Sequence, residues 1–365
     1  MKRILILTAA FGEGHNSAAR GIREGLLRVG GSDVKVEVHD LFAETYGSAN
    51  TWAREGYLGL INQWPQIWAH VYRRLDRQQK FAGNFKVFFH VKSYFRRLLA
   101  EFQPDVILSV YPAYPHIIDE MLGQRGAGPK RVVVITDSIA VNAIWYRCSS
   151  DYFLLPNERS AEVLHRAGIS PEQTRTFGFP VSPEFAEPGE FRGAPSAETG
   201  RHVLYLINAR KSVAPELVLR LAAINGIALT VAVGRDRRLR TAVEKIQSLA
   251  LRPFTVVGWS EELPRLLRAT HLLISKAGGA TVQEAIAAGC PMIVNHVIPG
   301  QEEGNARYLL ENKCGTVATS QDAVVNAVQS AFANDAAQWR VWSANIAQLS
   351  RPAASLEIAQ FLLSI

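Results

Sequence analysis

The sequence predicts an α/β protein with two domains, each built on a doubly wound parallel sheet. Three observations support this prediction. The chain has 365 residues, enough for two domains of ordinary size. Short apolar runs alternate with amphipathic helical segments, as in doubly wound sheets. A segment rich in Pro and Gly, residues 179–200, divides this alternation into two series.

The first series opens with an apolar run at residues 3–8, which suits a strand buried on both faces. Helical spacing of apolar residues predicts a helix over residues 17–29. We expect the first domain at residues 1–185 and the second at residues 200–339. The other predicted strands are residues 34–39, 106–110, 132–135, 152–155, 202–207, 229–233, 254–257, 271–275 and 292–295.

Composition limits the possible partners. Apolar residues make up 48% of the chain and charged residues 20%, which is typical of a globular protein. The net charge of +7 favours an acidic partner such as a phosphate, an anionic membrane or a nucleic acid. The three cysteines are widely spaced, which suits a reducing cytoplasm and offers neither a disulfide framework nor a zinc motif. No apolar stretch reaches about 20 residues, so we expect no membrane span.

Residues 46–100 differ from the rest of the chain. They hold twelve of its 33 aromatic residues, and nine Lys and Arg against two acids give the segment a charge of +7. Aromatic rings interleaved with basic side chains suit a helical segment at a membrane interface. The alternative is that the rings belong to a core and the charges are solvated. The residues expected at the membrane are Trp64, Trp68, Arg73, Arg74, Phe85, Phe88 and Phe89.

The loop after the first strand reads Gly-Glu-Gly-His-Asn-Ser over residues 12–17. Glycines and a helix N-terminus allow an anion to approach the backbone. As a dinucleotide fingerprint the loop is poor because Ser17 replaces the third glycine, although Asp40 after the second strand keeps NAD as an alternative. His15 lies where open α/β sheets bind ligands, and histidine accepts protons near neutral pH. A histidine that merely caps the helix is the structural alternative.

Two further motifs lie in the second half. In residues 276–285, small residues precede a helix whose N–H groups and Thr281 hydroxyl can hold a diphosphate. Glu284, one helical turn further, suits the hydroxyls of a ribose. In residues 299–305, amide and carboxylate groups suit sugar hydroxyls, and a helix N-cap with acids in its first turn is the alternative.

In their order along the chain, these motifs resemble the donor half of the family-28 glycosyltransferases. That family includes monogalactosyldiacylglycerol synthases, processive diacylglycerol glucosyltransferases and MurG enzymes. The segments that match the donor half are Val257-Gly258-Trp259, Glu262-Leu263-Pro264, Ser275–Gly279, Glu284-Ala285, Gly289–Met292 and Gly300–Asn305. In the first half, Phe11–His15 resembles the Gly-rich, His-ending loop of the same family. Segments closer to the diacylglycerol enzymes than to MurG are Thr136-Asp137, Trp145, Asp151-Tyr152 and Gly178–Val181.

The resemblance implies the GT-B fold, in which two Rossmann-like domains face a cleft and a C-terminal helix, here within residues 340–365, crosses back to the first domain. The implied activity is inverting transfer of a hexose from a UDP-sugar to a lipid hydroxyl, with diacylglycerol the leading acceptor. The implied location is the cytoplasmic face of the cell membrane, bound peripherally to an anionic surface. We expect no obligatory metal, no other cofactor and no nucleic-acid partner.

The resemblance also implies roles for individual residues. His15 is expected to act as the general base, and Asp137 to orient or assist the reacting hydroxyl. The residues expected to bind the donor are Gly14, Arg210, Ala277, Gly278, Gly279, Ala280, Thr281, Glu284, Gln301, Glu302 and Asn305.

Three positions depart from the family pattern. Residues 208–212 replace a Gly-rich turn, Asn142 stands where relatives usually have a histidine, and His271 stands where an aspartate is expected. Four alternatives therefore remain: a MurG-like transfer, a soluble glycosyltransferase with a small acceptor, a sugar-nucleotide epimerase, and a degenerate homologue that binds a sugar nucleotide without turnover. The sugar, the processivity and the oligomeric state are left open.

Overall fold

The computed structural model describes most of the chain, and its contacts divide the described residues into two compact units. The first unit comprises Met1–Pro183, Ile298–Gly304 and Ala353–Ile365, and the second comprises Glu184–Val297 and Asn305–Pro352. The described residues are 1–10, 13–47, 88–123, 126, 128–137, 141–188, 193–196, 200–260, 262–299 and 302–365.

In its described residues, the first unit contains a sheet of six parallel strands in the order β2-β1-β3-β4-β5-β6. Its strands are β1 Lys2–Leu7, β2 Val34–His39, β3 Val106–Ser109, β4 Lys130–Val134, β5 Tyr152–Leu155 and β6 Thr174–Thr176. The helices that accompany them are α1 Glu13–Gly30, α2 Leu41–Tyr46, α3 Phe89–Phe102, α4 Tyr114–Leu122 and α5 Glu158–Arg166.

Burial along these strands explains their order in the sheet. The central strands β1 and β3 are apolar on both faces, and Ile4 to Leu7 are completely buried. The edge strand β2 reads Val-Lys-Val-Glu-Val-His, and only Val34 is fully buried. A strand with charged side chains at alternate positions is stable at a sheet edge, where one side meets water. The buried strands β1 and β3 therefore lie inside the first sheet, and the charged strand β2 lies at its edge.

The second unit has the same plan, with six described parallel strands in the order β12-β11-β10-β7-β8-β9. Its strands are β7 Arg201–Leu206, β8 Ile227–Ala232, β9 Thr255–Val257, β10 Leu272–Lys276, β11 Met292–His296 and β12 Gly315–Val317. Its helices are α6 Ala214–Ala222, α7 Arg237–Lys245, α8 Leu263–Arg268, α9 Gly279–Ala287, α10 Glu303–Glu311 and α11 Gln321–Leu349. The first two residues of α10 belong to the segment Ile298–Gly304 of the first unit.

The last helix, α12 Ala354–Ser364, belongs to the first unit and packs against α1. A Cβ atom added to Gly25 of α1 would lie 2.5 Å from the Ser355 carbonyl oxygen, so a glycine is needed for this close approach. The returning helix is shorter than the predicted segment 340–365, because residues 340–349 lie in the second unit, in the part of α11 that follows its non-helical break at residues 333–336. Pro352 explains the break, since proline holds the preceding residue in an extended conformation.

A cation–π contact fixes the end of α12. The Phe361 ring meets the Tyr152 ring edge-on at 5.0 Å, and the Arg175 guanidinium lies 5.6 Å from the Phe361 ring centre. These residues come from β5 and β6, so α12 contacts the sheet edge as well as α1. Among the described helices, none combines the length and the hydropathy needed to cross a bilayer.

Candidate active site

His15 lies near the start of α1, just after the carboxyl end of β1, and is half-buried. The Thr136 hydroxyl, beyond the end of β4, lies 3.2 Å from His15 Nδ1. The Tyr111 ring meets the imidazole edge-on at 5.2 Å, and the Trp145 ring lies 5.9 Å away. Side chains from three loops at one edge of the sheet therefore hold the imidazole in place.

Burial changes the acid–base behaviour of this histidine. Desolvation lowers the pKa of His15 from 6.5 to about 4, and a hydrogen bond with the Val110 backbone acts in the opposite direction. A neutral imidazole costs less to bury than a charged one. His15 is therefore unprotonated at neutral pH, the form in which a histidine accepts a proton.

Asp137 follows Thr136 in the chain and is held from two sides. The indole of Trp145 donates from Nε1 to Asp137 Oδ2 at 2.8 Å, and the Ser160 hydroxyl donates to the Asp137 carbonyl oxygen at 3.4 Å. The two residues with expected catalytic roles, His15 and Asp137, are thus brought to the same edge of the first sheet. The catalytic roles of these two residues remain predictions.

The short 3-10 turn Ala143–Trp145 that carries the indole is itself braced. His116 donates from Nε2 to the Ile144 carbonyl oxygen at 2.7 Å. Asn142, which is 2% exposed, accepts the Ile144 N–H on its side-chain oxygen at 3.1 Å. Asn142, one of the departures from the family pattern, therefore serves as the cap of this turn. Neither His116 nor Tyr111 was singled out by the sequence, since no motif marks them.

The carboxylate of Asp40 has a structural role. It accepts the Ala10 N–H at 2.8 Å and the Ala43 N–H at 2.9 Å, and thereby caps α2. The Tyr114 hydroxyl also lies 3.4 Å from it. A carboxylate engaged in this way is poorly suited to bind the hydroxyls of a ribose, which weighs against the NAD alternative.

In the second unit, α9 begins directly after β10. Gly278 is the N-cap, and within the described residues no side chain caps this helix end. The N–H groups of a first helical turn lack partners inside the helix and attract anions. Asn305 Nδ2 donates to the Ala277 carbonyl oxygen at 3.0 Å, so the turn before the helix is braced. Thr281 and Glu284 are half-buried and lie three residues apart, on one face of α9.

Two glycines of the predicted site are not required by packing. Among the described residues, nothing lies within 4 Å of a Cβ added to Gly14, and a Cβ added to Gly279 would meet Asn305 Nδ2 at an ordinary 3.7 Å. Gly25 differs from these two glycines, because a Cβ added there would lie 2.5 Å from the Ser355 carbonyl oxygen. A glycine also permits close approach of a ligand, and the predicted role of Gly14 and Gly279 in donor binding remains a prediction.

The loop that replaces the Gly-rich turn follows β7, the neighbour of β10 in the sheet. Asn208 Oδ1 accepts the Lys276 N–H at 3.2 Å and ties this loop to the end of β10. Arg210 has a left-handed backbone, with φ of 50°, and its guanidinium donates to the Thr319 carbonyl oxygen. Lys211 pairs with Asp236 at 2.7 Å. Arg210 thus lies at the expected edge of the second sheet, in contact with protein.

Of the remaining predicted site residues, the structure describes Glu302, Phe88 and Phe89. Glu302 is 4% exposed, and its carboxylate accepts the Ile298 N–H at 3.1 Å. Phe88 is half-buried, whereas Phe89 is 62% exposed. The predicted residues outside the described ranges are Gln301, Trp64, Trp68, Arg73, Arg74 and Phe85.

His271, the third departure, is completely buried before β10. Its Nδ1 accepts the His202 N–H at 2.9 Å, and Nε2 donates to the Gly193 carbonyl oxygen at 3.2 Å. Asp105 and Asp151 act in the same way before β3 and β5, where each carboxylate accepts a backbone N–H from the start of the neighbouring strand. His271 therefore fulfils the structural role of the aspartate that it replaces.

The fold places polar groups at the carboxyl ends of parallel strands in each of two units, and this arrangement is that of the GT-B glycosyltransferases. MurG of Acinetobacter baumannii has the same fold, with a TM-score of 0.64, 14% sequence identity and complete coverage of both chains. Residues 15–181 match the family model of monogalactosyldiacylglycerol synthase, and residues 201–353 match that of the family-28 glycosyltransferase C-terminal domain. The protein is a glycosyltransferase of the family-28 type.

Curated relatives agree with this assignment. A probable chloroplastic monogalactosyldiacylglycerol synthase of Nicotiana tabacum is 28% identical over 376 residues, which cover 98% of this chain and 69% of the relative. The processive diacylglycerol beta-glucosyltransferase of Bacillus subtilis is 26% identical over 343 residues, which cover 92% and 88% of the two chains. The predicted family and GT-B-type fold are thus confirmed.

Proposed function

We propose that the protein transfers a hexose from a UDP-sugar to the hydroxyl of a diacylglycerol-type lipid, with inversion at the anomeric carbon. The observation that carries this proposal is the neutral, half-buried imidazole of His15, held beside Thr136 and the Trp145–Asp137 pair. An alcohol of ordinary acidity becomes an effective nucleophile when a positioned base removes its proton. The names of the relatives above support diacylglycerol as the alcohol.

The reaction balances with the groups that the chain supplies. His15 accepts the proton of the lipid hydroxyl as the hydroxyl oxygen bonds to the anomeric carbon. The bond from that carbon to the diphosphate breaks, and its electron pair leaves with UDP. Asp137, held by the Trp145 indole, orients the hydroxyl and stabilises the positive charge that develops on the imidazole.

In this proposal most of the donor-binding residues come from the second unit, and Gly14 and the segment Ile298–Gly304 of the first unit supply the others. The open N-terminus of α9 and the Thr281 hydroxyl hold the diphosphate, and Glu284 binds the ribose. Helix N–H groups stabilise the leaving diphosphate, so we expect turnover to continue in the presence of a chelator. The other residues assigned to the donor are Gly14, Arg210, Ala277, Gly278, Gly279, Ala280, Gln301, Glu302 and Asn305.

The charge of residues 46–100, +7 in a chain of net charge +7, supports docking on an anionic membrane. Each basic residue near such a surface contributes about 1 kcal/mol, which favours reversible, peripheral binding. We therefore assign the reaction to the cytoplasmic face of the cell membrane.

A UDP-release assay tests the proposal directly. The purified protein is incubated with UDP-glucose, UDP-galactose or UDP-N-acetylglucosamine, each with and without diacylglycerol in anionic micelles. Release of UDP that depends on diacylglycerol is the expected result, and it identifies the sugar. If UDP binds by calorimetry but diacylglycerol causes no release, the acceptor assignment is wrong. If UDP does not bind, the donor assignment is wrong as well.

A further inference from the structure

A row of aromatic rings leads away from His15. The Tyr111 ring contacts the imidazole at 5.2 Å, Phe42 lies 6.2 Å from Tyr111, and Phe88 lies 5.3 Å from Phe42. We call Tyr111, Phe42 and Phe88 the aromatic row. Each contact is within the range of edge-to-face or tilted ring packing, so the row is continuous.

The three rings come from three different segments of the first unit. Tyr111 follows β3, Phe42 opens α2 after β2, and Phe88 precedes α3. The next residue, Phe89, is 62% exposed, the largest exposed fraction of any described aromatic ring. The row therefore runs from the imidazole of His15 to Phe88, and the exposed Phe89 is the next residue in the chain.

Core packing explains only part of this arrangement. Phe42 is 7% exposed and belongs to the core around β1, whereas Tyr111 and Phe88 are only partly buried against that core. Burial raises the pKa of Tyr111 to about 12, so its phenol is neutral at any working pH. Asp40, the carboxylate that acts on the Tyr111 phenol, already accepts two backbone N–H groups. Tyr111 and Phe88 thus offer uncharged, partly open apolar surface near His15, and the buried Phe42 supports both rings from the core.

We propose that the aromatic row binds the ester and acyl portion of the acceptor and guides its hydroxyl to His15. This inference rests on the proposed function and adds to it the residues that select an acylated acceptor. An alcohol with an acyl chain buries apolar surface against the rings as its hydroxyl reaches the imidazole. An alcohol without such a chain gains nothing from the row. Recognition of the acceptor would then depend on contact area along the row rather than on charge.

The test compares a long-chain acceptor, dioleoylglycerol, with the short-chain dioctanoylglycerol in the UDP-release assay. Phe88→Ser and Tyr111→Leu should each raise the acceptor KM for dioleoylglycerol at least about tenfold, and donor KM should change less than about twofold. Tyr111→Phe keeps the ring and should lose much less than Tyr111→Leu. Val341→Ser, which removes an exposed apolar side chain of the second unit, is the matched control.

Two results would overturn the row as an acceptor surface. One is an unchanged acceptor KM in Phe88→Ser and Tyr111→Leu. The other is an equal change in the KM values of donor and acceptor, which indicates general damage to the fold. Circular dichroism of each variant separates that damage from a local effect.

Binding distinguishes failure of this inference from failure of the proposed function. Saturation-transfer NMR measures contact between the protein and the acyl protons of dioctanoylglycerol without any turnover. If no diacylglycerol causes UDP release, transfer that is present in the unmodified protein and lost in Phe88→Ser still supports the row. Absent transfer, or equal transfer in all variants, overturns it.

Discussion

The indole N–H of Trp145 donates a 2.8 Å hydrogen bond to the carboxylate of Asp137, and the same indole ring lies 5.9 Å from the imidazole of His15. Trp145 is 2% exposed, so its indole N–H is buried, whereas Asp137 is half-buried. A hydrogen bond to a charged group contributes more than one between neutral groups. Trp145 is therefore a positioning residue for both expected catalytic side chains.

Trp145→Phe should lower kcat by about 10- to 100-fold and leave the donor KM within about twofold, because it frees Asp137 without touching the donor unit. Steady-state kinetics with varied donor and acceptor measure this split. Trp339→Phe is the matched control, since the Trp339 indole donates to the His271 carbonyl oxygen at 2.6 Å in the second unit. If both variants lose activity equally, Trp145 has only a structural role.

His15→Gln should lower kcat/KM at least about 10²-fold with the fold intact, if the imidazole is the base. The pKa of about 4 adds a pH signature: in the unmodified enzyme, the acid limb of kcat/KM should lie near pH 4 instead of near 6.5. A limb near 6.5, or a loss well below 10²-fold, would remove His15 from this role.

The same pKa links His15 to stability. Between pH 6.5 and about 4 the unfolded chain binds a proton at this histidine and the folded chain does not. The contribution of His15 to the free energy of unfolding is therefore complete above pH 6.5 and is lost as the pH falls toward 4. The stability of the unmodified protein relative to His15→Gln should therefore fall over this window, by at most about 3 kcal/mol. His116, whose pKa is also lowered by burial, is present in both proteins and cancels. Urea unfolding at several pH values measures the difference, and a constant difference would contradict the shift.

Gly279→Ala should weaken UDP binding at least about tenfold, because a methyl group at the start of α9 stands where the diphosphate approaches the backbone. The free energy of unfolding should change by less than about 1 kcal/mol, since the added Cβ makes only an ordinary contact. Gly25→Ala should do the opposite: UDP binding is kept, and stability falls by about 1–3 kcal/mol because the Ser355 carbonyl is in the way. Calorimetry and urea unfolding measure the two quantities. Unchanged UDP binding in Gly279→Ala would move the diphosphate away from this helix end.

His271→Asp should retain most of the stability of the protein, because a carboxylate can accept the His202 N–H as Asp105 and Asp151 do at their strands. His271→Leu leaves that buried N–H without its acceptor and should cost about 1–3 kcal/mol. Thermal unfolding compares the two variants. A larger loss in the aspartate variant than in the leucine variant would show that the neutral ring is needed for reasons other than this hydrogen bond.

Most of the fold was predictable because buried parallel strands are continuous apolar runs. The apolar run at residues 152–155 agrees with β5 at both ends. The prediction of residues 34–39 also agrees with β2 at both ends, although apolar and polar residues alternate in that edge strand. Two strands were missed, β6 Thr174–Thr176 and β12 Gly315–Val317. Each has three residues and lies at a sheet edge, where neither length nor hydropathy marks a strand.

The candidate site was predictable where chemistry depends on local sequence. His15 and Gly279 stand beside strand ends and helix starts, so a motif reveals them. Tyr111 and Phe42 carry no such mark, because only the order of β2, β1 and β3 in the sheet brings their rings together. His271 shows the converse case: the sequence identified a departure, and only the hydrogen bonds explain why it is tolerated.

The packing of α12 on α1 has a consequence for synthesis of the protein. A ribosome releases α1 early, but Ala353–Ile365, which complete the same unit, leave the exit tunnel only after the whole second unit has been translated. Until then Gly25 of α1 lacks the residue Ser355 that it approaches in the folded protein, and the helix that carries His15 lacks the support of α12. The first unit, whose translation begins first, therefore completes its fold only after the second unit has been translated.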